Sequence, residues 1–583
     1  MSVPSILEQL KRQLKRGNFD DGLRVQTNNL WNQLQRSATH DESYYKAKSI
    51  VSEVSYYFDN IDLARQSVED FSNFDVDGCS LDNQGLALEK IRCYLAHIQA
   101  TYYYKDDYKE ARLRIEQCLH FITTKLKNQQ FSCSSTLAWA NYQLGCCFRQ
   151  LLLMERAEQA FVRSIGYQNQ RARSRLARPR QMKSGDWNTE ELRLRNYDEL
   201  LFCNRRIAIV LGLGLGFCDL TRGYLSAARE KLMIARALIA PCNDRLNDAY
   251  LALLLGNVKR CLAGSEPGKL KRAAAMVQAA RDDFESLGHA RYSARAIYEL
   301  ALTHFALADQ RHCTDADFNN YLAEATIEAD MVFGVSEKFN NHRWKSHALI
   351  VRSRIERKLS NFKDAIRFAN SALGQARDQM LCKIDACIAL AEAKIAWVKS
   401  DVQNNRQLEW DDYRLGNARE HLDAALRLLA KQQSEAAAGT ENEKIETVCR
   451  LHIASSFILE GNYVQASAAL QQVKDIGSIE HAWIIEVWRQ VKADAAKLNK
   501  QFTIEWDSDV LDYGVLTTEL RSLLLSIARQ KHPTNQSARA DFLNLPRNKL
   551  ISLENAFDKQ QTSRTRKFSA KGVKSQKKAA KRS

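Results

Sequence analysis

At 583 residues the chain is too long to close around one core, so it needs several domains or one extended repeat array. Apolar residues at 45% and charged residues at 26% exclude a disordered or collagen-like chain. The formal charge of +16 is concentrated at one end: Lys559 to Ser583 holds ten Lys or Arg and no acid, which leaves +6 on the other 558 residues.

The first residues, MSVPSILEQLKRQLKRG, lack the apolar core of a secretory signal. The longest apolar run, Ile207 to Cys218, is twelve residues, too short to span a bilayer. A soluble protein is expected, in the cytoplasm of a bacterium (cytosol or nucleoid) or in the nucleus of a eukaryote. Six prolines suit long uninterrupted helices. None lies between residues 268 and 532, a gap that reads as one continuous helical stack. The fourteen cysteines fall singly or as Cys146-Cys147 within apolar stripes, with no Cys-x-x-Cys and no zinc spacing, so they are expected to be reduced core residues.

In chain order, "GNFDDG" at 17–22 marks a first inter-helix turn. Tyr108, Ala111, Ile115 and Cys118 follow at helical spacing. The clearest unit has Leu144, Gly145 and Phe148 on a first helix and Ala157, Phe161 and Ser164 on a second. Gln168 to Lys183 carries six Lys or Arg (Arg171, Arg173, Arg175, Arg178, Arg180, Lys183) and no acid. That stretch reads as an exposed loop or an irregular helix extension, either a solvated insertion or a contact for an acidic partner or phosphate backbone. Gly212, Gly214 and Gly216 in "VLGLGLGF" lack the lysine of a phosphate loop and read as a helix interior or bend whose small residues permit close packing. Further units follow at Leu225/Ala228/Leu232/Ala235, within Lys269–Asp309, at Phe362/Ala365/Ala369/Ala372, at Ala418/Leu422/Ala425, and at Ile453/Ala454/Phe457/Gly461/Tyr463/Ala466/Leu470/Val473.

This spacing of small and bulky residues resembles the tetratricopeptide-repeat superfamily over roughly residues 1 to 500, in about seven to nine units. The resemblance implies an all-α superhelical solenoid whose concave surface, lined by first helices, takes a protein or peptide. Most aromatics, Tyr102 to Tyr104 included, are then expected to pack between repeats. The expected organisation is repeats at 1–167, the basic insertion at 168–195, repeats at 196–500 and a linker at 501–514. A three-helix unit at 515–558 and a disordered basic tail at 559–583 complete it.

Within 515–558, Ala540, Leu543, Asn544, Leu545, Leu550 and Leu553 stand at the spacing of two helices crossing around a tight turn, with Pro546 opening the last. This resembles the Fis-type helix-turn-helix, with Asn544 where glycine is usual and Pro546 where a serine or threonine cap is usual. The resemblance implies that Arg547, Asn548, Lys549, Ser552 and Asn555 face bases or phosphates in a major groove, in a dimer. The tail residues Arg564, Arg566, Lys567, Lys571, Lys574, Lys577, Lys578, Lys581 and Arg582 add sequence-independent affinity by counterion release. The alternative is that these helices only cap the solenoid and the chain is a pure scaffold. Among the sequence motifs there is no His-Glu-x-x-His, no Gly-x-Ser-x-Gly and no paired-carboxylate framework, so no enzyme, cofactor or metal is expected. The expected partners are a protein or peptide and, at the other end, DNA in preference to RNA, with no membrane.

Overall fold

A computed structural model describes residues 3–500 apart from 17–20, 38–39, 104, 106, 127–129, 177–188, 265, 311–312, 378, 405–412, 436–442 and 474–479. Beyond 500 it describes residues 525, 529, 536–537, 539, 550–552 and 554–555. The chain divides into two compact units, Met1–Lys500 and Gln501–Ser583.

Among the described residues the first unit is a succession of helices without strands. They are α1 (Val3–Arg16), α2 (Asp21–Leu34), α3 (Glu42–Tyr57), α4 (Ile61–Gln66), α5 (Gln84–Ile98), α6 (Tyr108–Lys125), α7 (Gln130–Gln150) and α8 (Met154–Leu176). Next come α9 (Thr189–Ile209), α10 (Phe217–Arg222), α11 (Leu225–Ile239), α12 (Arg245–Ala263), α13 (Pro267–Ser286), α14 (Ala290–Ala308) and α15 (Asp315–Lys338). The series ends with α16 (His342–Lys358), α17 (Phe362–Gln375), α18 (Met380–Gln403), α19 (Tyr413–Glu435), α20 (Glu443–Leu459), α21 (Tyr463–Gln471) and α22 (Ala482–Lys500). Apart from α9 and α10, which meet through residues 210–216, each helix packs on its neighbour in sequence, and α12, α14, α16, α18 and α20 also pack on one another in turn. That is the path of a tetratricopeptide-like α-solenoid.

One turn recurs. The amides of Asn60, Leu153, Tyr224, His289, Asn341, Asn361 and Asn462 each donate to the carbonyl five residues earlier, at 2.8 to 2.9 Å. The residue before each of them has positive φ: Asp59, Leu152, Gly223, Gly288, Asn340, Ser360 and Gly461. Its own amide reaches back three residues, which completes a Schellman motif and satisfies the helix's last carbonyls. Asn60, His289, Asn341 and Asn462 then cap the next helix by accepting from its first turn. Ending one helix and starting the next in so few residues is what makes a hairpin.

The small-residue signature is the packing surface. Ala111, Ala157, Ala228, Ala235, Ala365, Ala369, Ala372, Ala418, Ala425, Ala454 and Ala466 are all fully buried. Ser52 and Ser353 on first helices each donate to an alanine carbonyl twelve residues on, Ala64 and Ala365, at 2.9 and 2.7 Å. The glycine series forms a π-helical stretch, Val210–Gly216, between α9 and α10. A Cβ at Gly212 would overlap Leu251 and stand 2.9 Å from the Ala235 Cβ; one at Gly214 would stand 2.8 Å from the Phe161 ring. These are close approaches of helix to helix, as the sequence suggested. None of the fourteen cysteines is in a disulfide, and twelve are buried.

The apolar run at 207–218 belongs to a longer helical segment, Tyr197–Arg222, that by length and composition is long and apolar enough to cross a membrane. This corrects the expectation that the run is too short. Its apolar side is spent on neighbouring helices, and its Arg205 is buried against Asp244.

The array also winds back on itself. α1 packs on α9 and α22 on α12. Arg291 at the start of α14 pairs with Asp59 beyond α3. Arg343 of α16 donates to Gln150 of α7 at 2.7 Å. Glu480 takes the amide of Ser226, and its own amide donates to the Gly223 carbonyl at 3.3 Å.

Candidate functional site

Winding turns one face of α7, α12, α14, α16, α18 and α20 onto a shared interior, and that face carries charge. Part of the charge is paired. Glu299 of α14 accepts from Asn257 at 2.8 Å and pairs with Arg260 of α12 at 3.2 Å. Glu392 of α18 meets Arg354 and Arg357 of α16 at 3.4 and 3.5 Å and His452 of α20 at 3.4 Å. Burial alone would raise the Glu392 carboxyl; Arg354 and Arg357 instead hold it well below the usual carboxylate range.

Among the described residues, Arg149 and Arg295 have no such pair. Arg149 of α7 donates to the Leu213 carbonyl and stacks on the Phe217 ring at 4.2 Å from its centre. Arg295 of α14 stacks on the same ring at 4.7 Å and on Tyr250 at 4.8 Å. Ring faces attract a guanidinium but do not neutralise it. The carboxylate whose charge acts on Arg295 is Glu299, already engaged by Arg260, while Arg343 and Arg149 oppose the charge. Burial, with those two arginines, pushes Arg295 down to about 9. His347, one helical turn beyond Arg343, is buried and driven down to about 3 by desolvation and by Arg343, Arg295 and Arg354. It stays neutral, with the Cys382 sulfur 3.9 Å from Nε2.

Farther along, Lys444 at the start of α20 lays its stem 3.7 Å from where a Gly223 side chain would begin. Burial lowers its amine, and the charges acting on it include Asp385, Arg260 and Glu299. Tyr298 lies between the two regions, its phenol raised by burial with Glu299 and Asp385 adding to that. Tyr298 packs edge-on against Trp344, 5.5 Å between ring centres. The interior is therefore an aromatic wall with positive charge at Arg149–Arg295 and again at Lys444.

The residues singled out from sequence lie elsewhere. Arg171 is not displayed to a partner: α8 continues through it to Leu176, and Arg171 is buried against Glu199 of α9 at 2.6 Å and stacked on Phe202. That corrects its assignment to an exposed insertion; a helix extension takes it into the next hairpin's interface. Arg173 and Arg175 continue α8, while Arg178, Arg180 and Lys183 lie outside the described residues. In the second unit Ser552 and Asn555 are helical and exposed, whereas Leu550 and Glu554 are buried. Glu554 accepts from Gln536 at 3.1 Å and pairs with Arg539 at 2.9 Å and Arg529 at 3.4 Å. Arg547, Asn548, Lys549 and the tail residues 559–583 lie outside the described residues.

No protein-family model and no curated protein matches the sequence. Solved structures follow a similar helical path. The Rap conjugation gene regulator of the plasmid pLS20, in complex with the Phr* peptide, is 12% identical over 75% of this chain and 98% of its own, with a TM-score of 0.38. Yeast Tom70 is 12% identical over 87% and 97%, with a TM-score of 0.32. The Cut9 and Hcn1 hetero-tetramer of the APC/C is 11% identical over 89% and 88%, at 0.25. At these scores the likeness is one of repeating helical hairpins and goes no further.

Arg149, Arg295 and Lys444 were not read from the sequence as a group. The available signal was one cation on each of three first helices, outside the small-residue signature, with Arg149 in the last turn of α7 and Lys444 in the first turn of α20.

Proposed function

We propose that the chain is a non-enzymatic adaptor or regulator that holds a segment of a partner protein against the interior of its repeat array. The observation that carries this reading is the shielded, aromatic-lined interior in which Arg149 and Arg295 share the Phe217 ring with no carboxylate among the described residues bound to either. Keeping charge away from water is costly unless a partner compensates it, so such a surface is suited to a ligand. A photo-crosslinking residue in place of Tyr298, inside the array, is expected to capture a defined partner segment. The same residue in place of Met233, exposed on α11, is expected to capture none. Equal yields from both positions, or none from either, contradict the reading.

For the second unit we propose contact with DNA through the helix bearing Ser552 and Asn555 and through the basic tail. The exposure of those two residues, on a helix anchored by the buried Glu554, supports it. Anisotropy titration of duplex DNA at several salt concentrations tests it. Removing residues 559–583 is expected to flatten the salt dependence, and Arg547→Ala with Lys549→Ala to alter sequence preference. If no binding appears at low salt, the chain is a scaffold and its last helices are a cap.

A further inference from the structure

The chemistry of the segment is written in the charges that face it. We propose that the interior of the array recognises acid: its occupant is an extended stretch of a partner protein with a carboxylate-bearing residue against Arg149 and Arg295 and another towards Lys444. This rests on the adaptor reading and adds the charge and the residues that select it.

Three observations converge. Among the described residues Arg295 has rings on two sides and no ion pair, and Arg149 has one carbonyl and one ring. Elsewhere in the same interior each arginine that meets a carboxylate shares it: Arg260 with Asn257 at Glu299, and Arg354 with Arg357 and His452 at Glu392. Glu299 and Glu392 are therefore consumed, and Arg149 and Arg295 are left without a carboxylate among the described residues. A guanidinium oriented by ring faces keeps its N–H edge free for the two oxygens of a carboxylate, the geometry in which arginine binds most strongly.

The second cation, Lys444, is on α20, the last of the first helices, whereas Arg149 is on α7. Tyr298, Trp344 and the neutral His347 pack on one another beside Arg295. Glu299 acts on both Arg295 and Lys444, so one segment can meet both cations along Tyr298, which suits a polypeptide with an apolar residue beside its acids. Asp385 stands close enough for its charge to act on Lys444, with no ion pair of its own among the described residues. A dense phosphate would be repelled there, while a segment carrying a donor beside its acid is accommodated. Charge complementarity thus favours an acidic peptide over a nucleotide or inorganic phosphate.

The test uses the full chain and labelled synthetic peptides in three forms: Glu and Asp interspersed with Phe, the same with Gln and Asn, and the same with Lys. The acidic form is expected to bind at least ~10-fold more tightly than the amide form, and less tightly as salt rises. Arg295→Met and Lys444→Met remove no ion pair, so both variants should fold with an unchanged melting temperature while weakening the acidic peptide by ~10-fold each. Arg367→Met, exposed on α17, controls for surface charge and should change nothing. Equal affinity for acidic and amide forms, unmoved by Arg295→Met, overturns the acid preference and leaves the peptide-binding reading standing. Displacement by inorganic triphosphate more readily than by unlabelled acidic peptide overturns it in favour of a phosphate ligand. If no form binds, both readings fall.

Discussion

Gly212 shows what a single residue decides here. Its missing side chain lets the π-helical stretch lie against α11 and α12, where a methyl group would overlap Leu251 and press on Ala235. Leu251 can turn aside, but Ala235 moves only with its helix. Gly212→Ala should cost ~1–3 kcal/mol of stability in chemical denaturation, with the helical content of the folded chain unchanged. The buried histidines give a second residue-scale prediction. His289 accepts the Tyr292 amide at Nδ1 at 3.3 Å, which requires a neutral ring, although Asp59 lies 3.7 Å away. Burial, against the pull of Asp59, takes His289 down to about 4, and burial with three arginines takes His347 to about 3, each from 6.5. The unfolded chain then binds more protons than the folded one below pH 6.5, so stability falls as the pH drops from there towards 4. Melting temperature followed against pH should decline over that window; His289→Gln, which keeps an acceptor and cannot charge, should flatten the decline. A decline that starts only below pH 4 would assign it to carboxylates instead.

At the scale of helices, the small residues were legible because the pattern that marks them is local. Leu144, Gly145, Phe148, Ala157, Phe161 and Ser164 meet across one hairpin: a Gly145 side chain would run into the Phe161 ring, and Ser164 donates to the Ala138 carbonyl at 2.6 Å. Spacing along the chain fixes those contacts. Arg171 was misread because its partner, Glu199, lies beyond a stretch with no periodic pattern, and a run of like charges gives no hint that one member turns inward. The same holds for Asp244, which caps α12 while taking the Tyr57 hydroxyl at 2.8 Å and the buried Arg205. Three elements meet at one carboxylate. Arg205→Met should therefore destabilise the chain by ~3–5 kcal/mol, because Asp244 stays buried with its charge uncompensated; the double change Arg205→Met with Asp244→Asn should recover much of the loss. Failure of the second change to restore stability would mean that the pair acts through packing rather than charge. Asn462→Ala, which removes one cap, should cost only ~1 kcal/mol.

For the whole array, a fold of stacked hairpins is readable from the repeats, but its function depends on what winding brings together. Gln150 and Arg343 are 193 residues apart in sequence and 2.7 Å apart in space. No periodicity along one helix reveals which of its faces turns inward, nor which cations there find a carboxylate. The acid preference of the interior turns on whether Arg295 touches an acid on a bound segment. A double-mutant cycle measures this directly, with titration of the acidic peptide and of its Glu→Gln form against the native chain and against Arg295→Met. The prediction is a coupling of about 1 kcal/mol or more for one acidic position of the peptide, its loss costing little once Arg295 is gone. Additive effects at every acidic position would contradict it.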